Sequence, residues 1–259
     1  MYNSIQLREI FHLVFLRALV RSIPLPTFAI KGGANLRFFF GSIRYSEDMD
    51  IDISGIEVLV LQEKTMTVLE SSGLHDTLRT FGIEGLRLPN MATAKQTGTV
   101  QRFKIGLLTS AGEDFATKVE FSRRGMDEGI RAESVQVDVL APYRLPPLIV
   151  PHYDARAAAS QKILALASRS IPQARDVFDL YHLSSQQEVL EANLSGGLAP
   201  IELQKTRETI YSISYQQYRD TVVSYLSSQD RRAYDSVEIW DEIRLRVLEM
   251  LADDGNDGR

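Results

Sequence analysis

The chain has 259 residues, 44% of them hydrophobic, so it can bury a sizeable core as one large domain or two smaller ones. Its net charge of −5 excludes a protein that coats nucleic acid through bulk charge, although a local basic groove is compatible with it. The lack of cysteine excludes disulfides and thiolate zinc sites. No signal-peptide pattern opens the chain, and the apolar run at 10–20 is too short to span a bilayer, so we expect a cytoplasmic protein without membrane contact.

The first part of the chain mixes helical and strand patterns. Helical spacing of apolar residues predicts helices at 4–21, 35–40 and 58–71. Short apolar runs and period-two alternation predict strands at 27–30, 48–53, 100–108, 117–122 and 135–140. Gly73 is predicted to end the third helix. This mixture is typical of an α/β region in which helices cover a sheet.

The composition changes near Tyr143. A linker is predicted where prolines recur, at Pro142, Pro146, Pro147 and Pro151. Helical patterns follow at 157–168, 174–184, 201–227 and 237–252, and the polar tail 253–259 is expected to fray. The sequence therefore predicts an α/β domain over residues 1–150 and a helical domain over residues 151–259.

The strand at 48–53 has one apolar and one acidic face. Asp48, Asp50 and Asp52 share the acidic face, with neighbouring members about 7 Å apart along the backbone. Two such carboxylates can converge on a divalent cation, which relieves their mutual repulsion and leaves positions for water and phosphate oxygens. The alternative is a solvated edge strand, but acidic residues are poor strand formers. The pattern therefore favours a site for Mg²⁺.

Gly32-Gly33 follows a predicted strand and precedes a predicted helix. Glycine lets the backbone approach a phosphate, and the N-terminus of the following helix attracts anions. A glycine pair can also be a plain turn, but its position upstream of the acidic strand favours phosphate binding. Lys31 and Arg37 could add positive charge near a triphosphate or be ordinary surface residues. Ser46 could turn the chain before the acidic strand or donate a hydrogen bond to phosphate.

A two-metal phosphoryl-type transfer needs a further carboxylate to orient or deprotonate the attacking hydroxyl. Glu120 and Asp138 both lie in alternating segments that are predicted to be strands. Either residue could reach the acidic strand from a neighbouring strand, and either could face solvent. The pattern alone leaves both candidates open.

The helical half contains a lysine and an aspartate pair of interest. Lys162 lies in an alanine-rich helix, where it could contact phosphates or simply face water. Asp176 and Asp179 are three residues apart on one helical face and could brace Lys162 or the acceptor. Alternatively, Asp179 could pair with Arg175, four residues before it.

These segments, taken together, resemble the AbiEii/AbiGii-type toxin family of the nucleotidyltransferase superfamily. The matching segments occur in the family's order at residues 30–37, 44–52, 118–121, 161–169 and 174–183. The core of the match is the Ser-x-Asp-x-Asp pattern at 46–50. The superfamily's common Gly-Ser pair is Gly32-Gly33 here, and the match fades after His182.

The resemblance implies an α+β fold with a DNA polymerase β-like core, a mixed sheet flanked by helices, and a helical carboxy-terminal domain. It implies transfer of a nucleoside monophosphate from an NTP to an acceptor, dependent on Mg²⁺ or Mn²⁺, with pyrophosphate leaving. Members serve as toxins in toxin–antitoxin or abortive-infection systems, and some modify tRNA acceptor ends. RNA is therefore the expected acceptor, and an antitoxin encoded nearby is an expected partner.

The resemblance and the residue patterns together give a predicted site. The predicted metal ligands are Asp48, Asp50 and Glu120, which favours Glu120 over Asp138 as the third acid. The predicted catalytic residues are these three with Lys162 and Asp179. The residues predicted to contact the nucleotide are Lys31, Gly32, Gly33, Arg37, Ser46 and Asp176. Asp52 is expected to be a bystander or a supporting group.

Two other functions share the same motifs. One is nucleotidylation of a hydroxyl side chain of a partner protein, and the other is an inactive fold that serves as a binding module. A basic groove would favour RNA over protein, and its candidate residues are Lys95, Arg102, Lys104, Arg123, Arg124 and Arg131. Surface solubility is the alternative role for these six residues.

Overall fold

The computed structural model describes residues 2–192, 194 and 199–252 and divides into two compact units. The first unit comprises Met1–Gly41 and Tyr45–Tyr153, and the second comprises Ser42–Arg44 and Asp154–Arg259. The tail at 253–259, which was expected to fray, lies outside the described residues. Within the described part of the chain, no helix is both long and apolar enough to cross a membrane.

The first unit is built on a seven-stranded sheet in the order β3-β4-β5-β2-β1-β7-β6. The strands are β1 (Phe28–Lys31), β2 (Asp48–Ile53), β3 (Ile83–Arg87), β4 (Val100–Thr109), β5 (Asp114–Ser122), β6 (Ile130–Ser134) and β7 (Ile149–Tyr153). The helices are α1 (Ser4–Ser22), α2 (Gly32–Phe39), α3 (Val58–Glu70), α4 (Ser72–Arg79) and α5 (Val137–Leu140). The sheet is mixed, because β2–β5 and β1–β7 are parallel and the other pairs are antiparallel. This confirms the predicted mixed sheet flanked by helices.

The core lies on one face of the sheet, as the alternation along β2 and β5 requires. Met49 and Ile51 of β2 and Val119 and Phe121 of β5 are fully buried. They pack in one apolar cluster with α1, whose Phe15 is also fully buried. The polar residues between them therefore face the opposite side of the sheet.

The predicted strand at 135–140 is wrong, because residues 137–140 form the short helix α5. The backbone N–H of Gln136 bonds to the carbonyl of Phe38, and its side chain bonds to the carbonyl of Phe39. This fixes the chain against the end of α2, and a helical turn then buries Val139 beneath an exposed Asp138. Asp138 is consequently not on a strand beside the acidic one.

Two predicted boundaries in the first unit also differ. The proline-rich linker contains β7, which includes Pro151 and pairs with β1 and β6. Gly73 does not end a helix, since α3 stops at Glu70 and Ser71 caps a new helix that runs through Gly73. The boundary between α3 and α4 is therefore set by Ser71 as an N-cap and not, as was predicted, by Gly73.

The second unit is helical. Its helices are α6 (Ala155–Ser168), α7 (Ala174–Leu183), α8 (Gln187–Leu190), α9 (Pro200–Ser212), α10 (Tyr215–Thr221), α11 (Ser228–Tyr234) and α12 (Val237–Met250). The helix predicted over 201–227 is broken into shorter pieces. Ser214 accepts a hydrogen bond from the N–H of Gln217, so a capping box starts α10 where a continuous helix was expected.

Candidate active site

The register of the sheet places the acidic residues of β2 and β5 side by side. Asp48 lies opposite Lys118, and Asp50 lies opposite Glu120, in a parallel pairing. On the other side of β2, Asp50 lies opposite Lys31 of β1. Adjacent strands are about 4.8 Å apart, and these side chains share one face of the sheet. Asp48, Asp50 and Glu120 therefore lie next to one another on one face of the sheet.

Two cations sit against this carboxylate group. Lys118 Nζ is 2.9 Å from Asp48 Oδ2 and 3.8 Å from Glu120 Oε2. Arg102 Nε donates to Glu120 Oε2 at 2.7 Å. No role was predicted for Lys118, although its position two residues before Glu120 put it on the same face. The carboxylates of Asp48 and Glu120 thus have cationic partners.

Asp50 is the least compensated of the three carboxylates. Burial raises the pKa of Asp50, and the nearby charges of Glu120 and Asp48 raise it further, while Lys118 and Lys31 act in the opposite direction. A carboxylate that is hard to ionise among other carboxylates gains most from an added cation. Asp50 is the point at which a bound metal ion would relieve the most repulsion.

Gly32 brings backbone against this carboxylate. Its φ of +65° favours glycine, and a Cβ built there would lie 3.2 Å from Asp50 Oδ2. Gly32 and Gly33 open α2, and Lys31 at the N-cap makes no side-chain capping bond. The first-turn N–H groups of α2 therefore have no side-chain cap, which suits an anion at this end. Contact of Gly32 and Gly33 with phosphate stays a prediction.

Lys31 is held by a buried acid. Its Nζ is 2.5 Å from Asp52 Oδ1, and Asp52 Oδ2 accepts from the Tyr153 hydroxyl at 2.8 Å. That hydroxyl itself accepts from the N–H of Asp127 at 3.0 Å, so its proton is directed to Asp52. Asp52 and Tyr153 are 3% and 0% exposed, whereas the Lys31 side chain is 28% exposed. Asp52 is thus a supporting group that fixes the Lys31 ammonium on the face of Asp50.

Two residues predicted to contact the triphosphate have internal partners. Ser46 donates to the carbonyl of Asp48 at 2.7 Å and so shapes the turn that enters β2. Arg37 pairs with the buried Glu9 at 2.6 Å and stacks on the Tyr45 ring at 4.3 Å. Burial lowers the pKa of Arg37, but the hydrogen bond and the negative charge of Glu9 outweigh burial, so the pKa of Arg37 is raised. Their predicted contacts with phosphate stay predictions.

A buried histidine that the sequence did not suggest also supports the entry to β2. His12 Nε2 lies 2.9 Å from Thr117 Oγ1, whose hydroxyl donates to the carbonyl of Glu47 at 2.8 Å. The hydroxyl proton is committed to Glu47, so His12 donates from Nε2. Burial lowers the pKa of His12 to about 3, with Arg8 adding to the effect. A neutral imidazole on α1 thus holds the residue that precedes Asp48.

Lys162, Asp176 and Asp179 form a buried ion-pair network within the second unit. Lys162 Nζ is 2.9 Å from Asp176 Oδ1 and 2.6 Å from Asp179 Oδ2. Asp179 also receives two bonds at 2.9 Å from Arg44 Nη2, and Asp176 pairs with Arg169 at 2.7 Å. Of the two predicted roles of the aspartates, bracing Lys162 or bracing the acceptor, the structure shows contacts with Lys162. Asp179 pairs with Arg44 and not with Arg175. A role for these residues toward phosphate stays a prediction.

The charges of this network stabilise each other. Burial opposes ionisation of Lys162, but Asp176 and Asp179 outweigh it and the pKa of the lysine is raised. Burial would likewise raise the pKa of Asp179, yet Arg44 and Lys162 hold it below its usual range. Both groups are consequently charged near neutral pH.

The donor set fits a hard divalent cation in its chemistry. Asp48 and Asp50 lie two residues apart on one face of β2 and offer carboxylate oxygens, the ligands that Mg²⁺ prefers. Among the residues that the structure describes, no three His, Asp or Glu side chains form a finished metal-binding cluster. Glu120 instead directs Oε2 to Arg102. The fit therefore rests on Asp48 and Asp50, and Glu120 as a third ligand stays a prediction.

A carboxylate pair on a mixed sheet, with a glycine turn against it, is the arrangement of a nucleotidyltransferase. Two solved structures share this fold, and one of them is a nucleotidyltransferase toxin. MenT4, a nucleotidyltransferase toxin from Mycobacterium tuberculosis H37Rv, is similar with a TM-score of 0.56 and 17% identity, over 98% of this chain and 86% of that one. JHP933 from Helicobacter pylori is similar with a TM-score of 0.53 and 17% identity, over 97% of this chain and 91% of that one.

The chain belongs to the AbiEii family of nucleotidyl transferase toxins of type IV toxin–antitoxin systems, because the model of that family matches residues 14–245. The resemblance deduced from the sequence motifs is thereby confirmed. No curated protein matches the chain.

Proposed function

We propose that this toxin transfers a nucleoside monophosphate from an NTP to an RNA acceptor, with Mg²⁺ held by Asp48 and Asp50. The observation that carries the proposal is the placement of Asp50 between a backbone glycine turn and a second carboxylate. Gly32 abuts Asp50 on the β1 side, and Glu120 lies opposite it on the β5 side. A phosphate site and a base thus flank one acidic pair.

The proposed reaction forms one bond and breaks another at the α-phosphorus. The acceptor hydroxyl oxygen bonds to the α-phosphorus, the bond to the bridging oxygen breaks, and pyrophosphate leaves. A bound Mg²⁺ would supply charge neutralisation at the phosphates. The first-turn N–H groups of α2 and the Lys31 ammonium hold the triphosphate. Glu120 orients the acceptor hydroxyl and accepts its proton.

The test is transfer from each labelled NTP, with Mg²⁺, to total tRNA or to a lysate of cells. We expect Asp48→Asn and Asp50→Asn to lower the rate by about 100-fold or more, because each removes a carboxylate from the proposed metal site. Asp138→Asn is a matched control, since Asp138 is an exposed acid away from β2. Full activity of the two β2 variants would overturn the site.

The labelled product distinguishes the acceptors. Label that is released by ribonuclease supports RNA, and label that is released only by protease supports a protein hydroxyl. Thermal stabilisation by NTP that requires Mg²⁺ supports an enzyme. Absence of any transfer and of any nucleotide effect would leave a binding module instead. The family also supports a partner antitoxin, and co-expression with the neighbouring gene that rescues growth would test it.

A further inference from the structure

Cations follow the face of β4 that adjoins the carboxylates. Arg102 and Lys104 are two residues apart and lie opposite Glu120 and Lys118 of β5. Residues at this spacing point to the same side of the strand, about 7 Å apart. Both cations therefore share the face of the candidate active site.

Lys104 is a charge without a partner. Its side chain is exposed, and it forms no ion pair or hydrogen bond with any residue in the described part of the chain. It lies directly opposite Lys118, and like charges in directly opposed positions destabilise a sheet. The carboxylates of Asp48 and Glu120 pair with Lys118 and not with Lys104. The positive charge of Lys104 is therefore not neutralised by these neighbouring acids of the sheet. An anion from outside the chain would supply it.

A third cation extends the row. Arg87 of β3 lies opposite Gly106 of β4 and pairs with Asp114 at 2.8 Å. A Cβ at Gly106 would lie 2.8 Å from Arg87 Nη2, so the guanidinium crosses the strand where Gly106 leaves space. Gly106 is two residues beyond Lys104 and on the same face. Arg87, Lys104 and Arg102 form a row along β4, hereafter the β4 cation strip.

The strand order separates the strip from the proposed triphosphate site. Lys31 and Gly32 lie on the β1 side of β2, whereas β5 and then β4 lie on its other side. Glu120, the proposed base, stands between the strip and the aspartates of β2. An anion on the strip would thus approach the base from the side that the triphosphate leaves open.

We propose that the β4 cation strip binds the phosphodiester backbone next to the reacting end of a single-stranded RNA acceptor. This inference rests on the proposed nucleotidyl transfer and assigns its acceptor site. Cations that follow one face of a strand beside the chemistry suit a polyanion, and backbone contacts of this kind position a nucleic-acid strand without reading its sequence. With a net charge of −5, the whole chain provides no general attraction, so binding depends on this local strip.

The first experiment measures binding of a fluorescent single-stranded RNA of about 12 nucleotides across a range of salt concentrations. Each lost phosphate contact makes the negative slope of log K against log salt shallower by about 0.7, which weakens binding about fivefold at 0.1 M salt. We expect this change for Lys104→Gln and for Arg87→Gln. Lys205→Gln, the matched control, removes an exposed lysine of the second unit and should leave both quantities unchanged.

The second experiment measures transfer, with the RNA and the NTP varied separately. Lys104→Gln should raise KM for the RNA and leave KM for the NTP unchanged. Parent-like RNA affinity and salt slope in both strip variants, or transfer to protein alone, would overturn the inference even if the parent enzyme is active. Absence of any transfer by the parent would overturn the proposed function instead. Because Lys104 is exposed and unbonded, parent-like melting of Lys104→Gln is expected and is checked alongside.

Discussion

Lys31 Nζ and Asp52 Oδ1 are 2.5 Å apart, and through this contact a buried aspartate of β2 holds the ammonium of a half-buried lysine in place. The Tyr153 hydroxyl donates to the other carboxylate oxygen, so both ends of Asp52 are fixed. Asp48, Asp50 and Asp52 share one face of β2 but have different surroundings. Asp48 and Asp50 are the proposed metal ligands, and Asp52 fixes Lys31, which lies beside them.

Asp52→Asn should raise KM for the NTP about tenfold, with a smaller effect on kcat. A charge-assisted hydrogen bond contributes about 1.5–3 kcal/mol, and its loss frees Lys31 from its fixed place. Tyr153→Phe should shift KM in the same direction by less. Steady-state kinetics checks this, and a double-mutant cycle with Lys31→Ala should show that the KM effects are not additive. Additive effects would mean that Asp52 does not act through Lys31.

Gly32→Ala should abolish most transfer activity, and Gly55→Ala should not. Both glycines have positive φ, +65° and +72°, so each substitution should cost about 1–2 kcal/mol of stability. Only at Gly32 would the new Cβ crowd a carboxylate, Asp50 Oδ2 at 3.2 Å, whereas Gly55 faces open space. Urea unfolding measures the loss of stability that both variants should share, and the NTP-transfer assay measures the loss of activity expected for Gly32→Ala alone. Equal activity in the two variants would refute a role for the close approach at Gly32.

The acidic face of β2 was predictable because period-two alternation fixes which side chains share a face. Alternation left Glu120 and Asp138 equally open, and only the motif resemblance favoured Glu120. The same rule would have placed Lys118 beside Asp48, since Lys118 and Glu120 are two residues apart. It failed for Asp138, because hydrogen bonds from Gln136 to the end of α2 override the local pattern. Alternation alone does not carry that tertiary information.

Long-range partners were beyond local patterns. Arg44 and Asp179 are 135 residues apart in sequence, and His12 and Thr117 are 105 apart. Helical spacing suggested the nearer Arg175 for Asp179, but burial of Asp179 selects the arginine that can reach it with two nitrogen atoms. Pro151 similarly suggested a linker, whereas pairing with β1 and β6 makes a strand of it.

Stability should fall in acid through His12. Its pKa is about 3 in the folded chain and 6.5 in the unfolded chain, so the unfolded state alone binds a proton between these values. The contribution of His12 is fully present above pH 6.5 and falls by up to about 1.4 kcal/mol per pH unit as the pH decreases toward 3. His12→Gln keeps a donor near Thr117 but does not titrate.

Urea unfolding of the parent and of His12→Gln at several pH values between 4 and 6.5 checks this expectation. The slope of the unfolding free energy against pH should be smaller in the variant by up to about 1.4 kcal/mol per pH unit, which corresponds to one proton. This difference is expected whatever the stability of the variant at neutral pH. Parallel slopes in the two proteins would show that another group causes the acid sensitivity.

Asp179→Asn should destabilise the second unit more than removal of a surface acid does. Asp179 is fully buried, and its substitution removes the negative charge that it presents to both Arg44 and Lys162. Removing one partner of a buried ion pair costs about 3–5 kcal/mol, because a buried charge loses its compensation. Asp241→Asn in the same unit breaks a pair whose aspartate is 56% exposed, and its cost should stay within about 1 kcal/mol.

Thermal unfolding of the two variants and the parent measures this difference, and NTP transfer measured well below the melting temperature separates stability from chemistry. If Asp179 only braces α6 and α7 within the second unit, Asp179→Asn should regain parent-like transfer at low temperature. Loss of transfer in a folded Asp179→Asn protein would show the direct catalytic role that the motif resemblance predicts. A melting temperature equal to that of Asp241→Asn would refute the proposed bracing role of the buried network.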